Sequence, residues 1–268
     1  MSSRFLTVNG HQLYIDERGL LGAPEVPSLA QPVVVLLHHG LGSTHAWRSQ
    51  FPALTRAGYR TLAYDRWGYG RSAPRSQLSM PYFEEDQADL LTILDQMQIW
   101  QAALVGHSDG GTIALYFAAR HPERVTCLVI LAAHAYVDEY VTAGMPYVLQ
   151  QYREDASFRS KLQRRHGGQT ETMFMAWYNG WYKEANRDWD MRPDLGRIRC
   201  PTLVMQGDED EHAPPQHVVD IASAIPGAEL HLVPGAGHML QRERAREVNR
   251  RLLGFLGQVV RQELTDVQ

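Results

Sequence analysis

Six short apolar runs punctuate the chain: residues 33–39 (VVVLLHH), 60–65 (RTLAYD), 102–107 (AALVGH), 125–133 (VTCLVILAA), 201–207 (PTLVMQG) and 228–233 (AELHLV). Successive strand side chains point to opposite faces, so runs with little polar interruption suit strands buried on both sides. Most segments between them repeat at helical spacing instead. Leu90, Ile93, Leu94 and Met97 share one face of 82–97, and Val248, Leu252, Phe255 and Val259 share one face of 247–260. Strands alternating with amphipathic helices predict a mainly parallel sheet flanked by helices, the α/β class.

Two stretches depart from that rhythm. The amino terminus, MSSRFLTVNGHQLYIDERG, reads as a strand pair with a tight Asn-Gly turn, and the Gly- and Pro-rich residues 19–32 read as a surface loop. Residues 134–200 lack a strong strand and are far longer than an ordinary connection between strand and helix. They are expected to form a helical cap insertion, with 1–133 and 201–268 as the core domain. Aromatic residues at 171–191, among them Phe174, Trp177, Trp181 and Trp189, suit packing against the core or a covered pocket. Trp177 and Trp181 are the candidates for lining such a pocket.

Composition narrows the class of partner. A chain of 268 residues is long enough for one α/β domain with an insertion, and a formal charge of −4 leaves no basic surplus for nucleic acid or an anionic membrane. A small-molecule partner is expected. Cys127 lies in an apolar run and Cys200 precedes Pro201, so both are expected to be buried thiols outside any disulfide framework. No apolar run reaches membrane-spanning length and the amino terminus lacks a signal-peptide core, which points to a cytoplasmic protein. No cofactor and no metal are expected: GLGSTH lacks the third glycine of a dinucleotide fingerprint, and neither a P-loop nor a His/Cys ligand cluster occurs.

Candidate chemistry sits in residues 103–125, ALVGHSDGGTIALYFAARHPERV. There G-x-S-x-G stands between a strand and a helix, the setting in which a strained turn exposes a serine hydroxyl at the carboxyl edge of a sheet. Gly106 and Gly110 are then required because side chains would collide across the turn. Serine needs a base to accept its proton and an acid to orient that base. Both follow later in the chain, after predicted strands: acids at Asp208, Glu209, Asp210 and Glu211, and a histidine at His238 in a Gly-rich loop. His231 alternates within a strand and is read as structural. Backbone N–H groups of Asp109 and Leu41 are the expected oxyanion donors, with Gly40 and Gly42 allowing close approach. His38, His39 and His107 are read as packing residues.

Taken in order, HHGLGS, YDRWGYGRS, GHSDGG, GDEDEHAP and GAGH resemble the landmarks of the α/β-hydrolase superfamily over essentially the whole chain. That resemblance implies the α/β-hydrolase fold and a Ser108–Asp210–His238 triad, because Gly207, Asp210 and Pro214 match the family's acid motif. It also implies a structural turn at Asp65, Gly68 and Gly70. GHSDGGTIAL, AAHAYVDEY and RIRCPTLVMQGDED further resemble the biphenyl hydrolase-like branch, which includes carboxylic-ester hydrolases favouring amino-acid esters. In one such enzyme of that branch the aspartate after the nucleophile holds the substrate ammonium, and Asp109 occupies the matching position here. The expected activity is hydrolysis of a small carboxylic ester. Cleavage of a carbon–carbon bond in ring-fission products and a hydrolase-like ligand receptor are the alternatives.

Overall fold

A computed structural model describes residues 2–19 and 33–266. Among them, strands β1 (Ser2–Val8), β2 (His11–Arg18), β3 (Val33–Leu37), β4 (Thr61–Tyr64), β5 (Ala102–His107), β6 (Val125–Leu131), β7 (Thr202–Gly207) and β8 (Glu229–Val233) form one sheet. Its order is β1-β2-β4-β3-β5-β6-β7-β8. β2 runs antiparallel to both β1 and β4, and the remaining neighbours are parallel. All six apolar runs are therefore strands of a mostly parallel sheet, as expected. Asn9 and Gly10, at φ 47° and 89°, make the left-handed turn between β1 and β2. The loop expected at 19–32 lies, apart from Gly19, outside the described residues.

The central strands are apolar throughout because helices cover both faces. Val34 and Leu36 of β3 face α1 (Gln50–Arg56) and α10 (Ala245–Asp266), in a core with Phe51, Val248 and Leu252. Val35 and Leu37 face the opposite core, which takes Leu90 and Ile93 from α2 (Glu84–Gln96), Ile113 and Phe117 from α3 (Asp109–Arg120), and Val218 from α8 (Gln216–Ala224). Period-two alternation along each strand thus feeds two cores.

Between β6 and β7 the chain forms α4 (Glu139–Glu154), α5 (Ala156–His166), α6 (Thr170–Tyr182) and α7 (Arg192–Leu195). Aspartates start the first two of these helices. The Asp138 carboxylate accepts the Val141 N–H at 2.8 Å, and Asp155 accepts those of Ser157 and Phe158 at 2.7 and 3.1 Å. Phe174 is fully buried and stacks on Tyr152 at 3.8 Å between ring centroids, while Trp189 Nε1 donates to the Tyr116 hydroxyl at 2.7 Å. These two aromatics join the segment to itself and to α3. Cys127 is buried, but Cys200 is only partly so, because it lies just before β7 instead of within the sheet. No helix among the described residues is long and apolar enough to cross a membrane.

Candidate active site

Ser108 by itself makes the turn from β5 to α3. Its backbone stands at φ 54° and ψ −122°, a conformation that costs a non-glycine residue about 1–3 kcal/mol and survives only when its surroundings enforce it. The Ser108 N–H donates to the Leu131 carbonyl at 2.8 Å, and its own carbonyl accepts from Gly111 and Thr112. A Cβ on Gly106 would lie 2.3 Å from the Gly110 carbonyl oxygen, and one on Gly110 would lie 2.1 Å from that of Leu37. The glycines bring helix and sheet close enough to hold the serine where it is. Ser108 then lines a cavity of about 460 Å³ at the carboxyl edge of the sheet.

His238, after β8, and Asp210, after β7, line or adjoin the same edge. His238 Nδ1 lies 3.0 and 3.1 Å from the two Asp210 carboxylate oxygens. An ionised carboxylate can only accept, so Nδ1 carries the proton and Nε2 is left as the basic nitrogen. Burial alone would raise the Asp210 pKa, but the His238 charge and hydrogen bonds from His238 and the His212 N–H bring it down to about 2. For His238 burial opposes the charge, yet Asp210, followed by Glu211 and Asp109, raises its pKa above the usual imidazole value. No hydrogen bond joins the Ser108 hydroxyl to His238; catalytic contacts of this kind often tighten only with substrate in place.

None of the neighbouring acids bonds the His238 ring. Asp208 accepts the Gly235 N–H at 2.7 Å, Glu211 accepts the His238 N–H at 2.9 Å, and Glu209 is exposed. His231 bonds Glu247 at 2.9 Å, away from Ser108, in keeping with a structural role. Asp65 accepts the N–H groups of Thr44 and Arg71, and a Cβ on Gly70 would strike its carboxylate, which explains that turn.

Leu41 and Asp109 both reach the cavity, Leu41 from the loop after β3 and Asp109 from the start of α3. Trp177 and Trp181 line it as well. A Cβ on Gly40 would lie 2.1 Å from Trp177 Nε1, so the absence of a side chain there lets the indole press against this loop. The Asp109 carboxylate is buried; it accepts the Trp181 indole N–H at 3.2 Å and faces the Arg66 guanidinium at 3.6 Å. Burial raises its pKa, with Arg66 opposing. Arg66 is itself fully buried and also pairs with Asp86 at 3.2 Å. That guanidinium was not among the residues singled out from sequence, since an Arg in a turn motif carries no local sign of burial.

Two of the three histidines read as packing residues are bonded accordingly. His38 Nδ1 donates to the His39 carbonyl and its Nε2 accepts the Arg66 N–H, at 2.8 and 3.1 Å. His107 Nε2 donates to the His238 carbonyl at 2.9 Å and its Nδ1 accepts from Gln241 at 3.0 Å, while burial pushes its pKa down to about 3. A neutral imidazole therefore ties the turn before Ser108 to the loop of His238. His39 also stands in the cavity wall, as does His134, a residue that no sequence motif singled out.

The alpha/beta hydrolase fold family matches residues 32–193 and 164–245 of this chain. The protein belongs to the α/β-hydrolase family. The serine hydrolase BPHL of Mus musculus is 28% identical over 265 residues, covering 96% of this chain and 87% of the relative. A putative carbamate hydrolase RutD of Variovorax paradoxus is 32% identical over 260 residues, covering 88% and 96%. Among solved structures, a hydrolase from Pseudomonas aeruginosa PA01 superposes with a TM-score of 0.74 at 28% identity, covering 96% of this chain and 98% of that one. This α/β hydrolase thus resembles the serine hydrolase BPHL along almost its full length.

Proposed function

We propose that this α/β hydrolase cleaves small carboxylic esters through an acyl-enzyme on Ser108. The observation that most supports this reading is a serine on a strained turn lining one cavity with a histidine whose Nδ1 is held by a buried carboxylate. His238 Nε2 takes the Ser108 proton as the hydroxyl oxygen attacks the ester carbonyl, and Asp210 steadies the imidazolium that forms. The N–H groups of Leu41 and Asp109 receive the developing oxyanion. His238 returns the proton to the leaving alcohol, and water attacks the acyl-enzyme by the same route in reverse.

Residues 134–200 act in this reading as a cap on the core formed by 1–133 and 201–268, with Trp177 and Trp181 as apolar walls for the substrate. The narrower resemblance implies amino-acid esters held by Asp109. The Arg66 charge 3.6 Å from that carboxylate weighs against an ammonium there, so we assign the site to esters without an α-ammonium. Labelling with a fluorophosphonate, followed by peptide mapping, tests the nucleophile: the label belongs on Ser108 and vanishes in Ser108→Ala. A label on another residue of the active protein overturns the assignment. A panel of p-nitrophenyl and amino-acid esters tests the substrate class.

A further inference from the structure

The cavity that Ser108 lines also holds cations with no partner. Lys161 and Arg165 stand one turn apart on α5, and Arg242 comes from α9 (Leu240–Glu243), just after His238. A small recess beside the loop after β3 shares Arg165 and Arg242 with this cavity. Lys161 and Arg242 are exposed and Arg165 is half-buried, and among the described residues none of the three forms an ion pair. The carboxylates that share the cavity are already engaged, Asp109 by Arg66 and the Trp181 indole. Asp155 accepts the first N–H groups of α5, and Glu211 accepts the His238 N–H.

Clustering these charges is unfavourable in an unliganded protein. Arg165 is half-buried, and burial followed by the charges of Arg242 and Arg48 lowers its pKa. The chain as a whole is acidic, with a formal charge of −4, so the concentration of positive charge is local. An anion bound between the two guanidiniums would relieve the repulsion and satisfy donors whose planar geometry suits a carboxylate.

We propose that Lys161, Arg165 and Arg242 form an anion subsite, and that the substrate carries a carboxylate at a second point from its scissile carbonyl. Asp155 and Glu211 in the same wall favour a monoanionic head over a dianionic phosphate, which they would repel more strongly. The identity of the bond broken rests on the ester-hydrolase reading above; the anion subsite does not.

The test compares p-nitrophenyl hexanoate with the p-nitrophenyl monoester of adipic acid, which has the same acyl chain length and a terminal carboxylate. The wild type should favour the adipate ester in kcat/KM by about tenfold at low ionic strength, mainly through KM. Arg165→Gln and Arg242→Gln should each bring the ratio towards one, Arg165→Lys should restore part of it, and salt near 0.5 M should weaken it. A wild-type ratio of one or less, or a ratio that neither Gln variant moves in folded protein, overturns the subsite. Binding of free adipate to Ser108→Ala, followed by calorimetry with and without Arg165→Gln, separates the two readings. Adipate binding lost on the Arg165 substitution supports the subsite even if neither ester turns over, an outcome that would sink only the ester reading. No adipate binding overturns the subsite itself.

Discussion

At the residue scale, the proposed mechanism makes the pair formed by His238 and Asp210 govern how activity should vary with pH. A general base must be neutral, and the carboxylates around His238 raise its pKa, so the proton is retained to a higher pH than on a free imidazole. Accordingly kcat/KM should rise with pH along a limb whose midpoint lies above the ordinary value of about 6.5. Asp210, with a pKa of about 2, stays ionised along that limb. Asp210→Asn should lower kcat by about 10⁴-fold and move the midpoint down, because the charge that holds the proton is gone. A pH–rate profile on both proteins, with chemistry rate-limiting, decides it: a flat profile from acid to neutral pH contradicts the role of His238. The histidine itself was legible in sequence from its Gly-rich loop after a strand, whereas its raised pKa depends on acids brought to it from the loop after β7 and from the start of α3.

Elements make a different kind of demand, and here local sequence is most informative. Gly110→Ala places a Cβ 2.1 Å from the Leu37 carbonyl oxygen, a backbone atom that cannot rotate away, so β3 and α3 must separate. A loss of about 3 kcal/mol or more is expected in chemical denaturation, within the range of severe core changes. Asp155→Ala should cost only about 1 kcal/mol, because it removes one helix cap and leaves the buried face of α5 in place. A fall in Tm of about 2–4 °C is the corresponding signal for a domain of this size. The Asp155 cap acts within one short segment, whereas the Gly110 collision is with β3, distant in sequence. The G-x-S-x-G pattern and the Asn-Gly hairpin could be recognised before the fold was known because the backbone of each turn itself limits which residue types it accepts.

For the whole molecule, the buried charges are the sensitive points. Arg66, beyond the end of β4, joins Asp86 of α2 and Asp109 of α3, while Arg75 shares Asp86. Arg66→Met leaves Asp109 buried without a cation and should destabilise the protein by about 3–5 kcal/mol. Adding Asp109→Asn should recover part of that loss, measurable as a coupling in a double-mutant cycle of urea midpoints. Trp177 reports on the cavity instead. Trp177→Ala should shift the preference along a series of ester acyl lengths towards longer chains, and an unchanged preference with lowered stability would leave Trp177 a packing residue only.

What the sequence determined by itself was whatever depends on neighbours in the chain. Short apolar runs marked the six strands, the spacing of Leu90, Ile93 and Leu94 marked the face of α2, and Gly106 and Gly110 flanking Ser108 between a strand and a helix marked the turn. Residues 208–211 already lay beyond that reach: four acids in a row have similar local chemistry, and only the path of the loop between β7 and α8 turns Asp210 to His238 and sends Asp208 to Gly235. Resemblance to a family motif chose Asp210, and tertiary structure supplies the reason. The same holds for Asp109, which lines the cavity and also faces Arg66, and for the unpaired cations of α5 and α9. Long charged side chains choose partners across the folded surface, at separations in sequence where no periodicity carries information, so tertiary structure alone decided which charges were matched and which were left to meet a ligand.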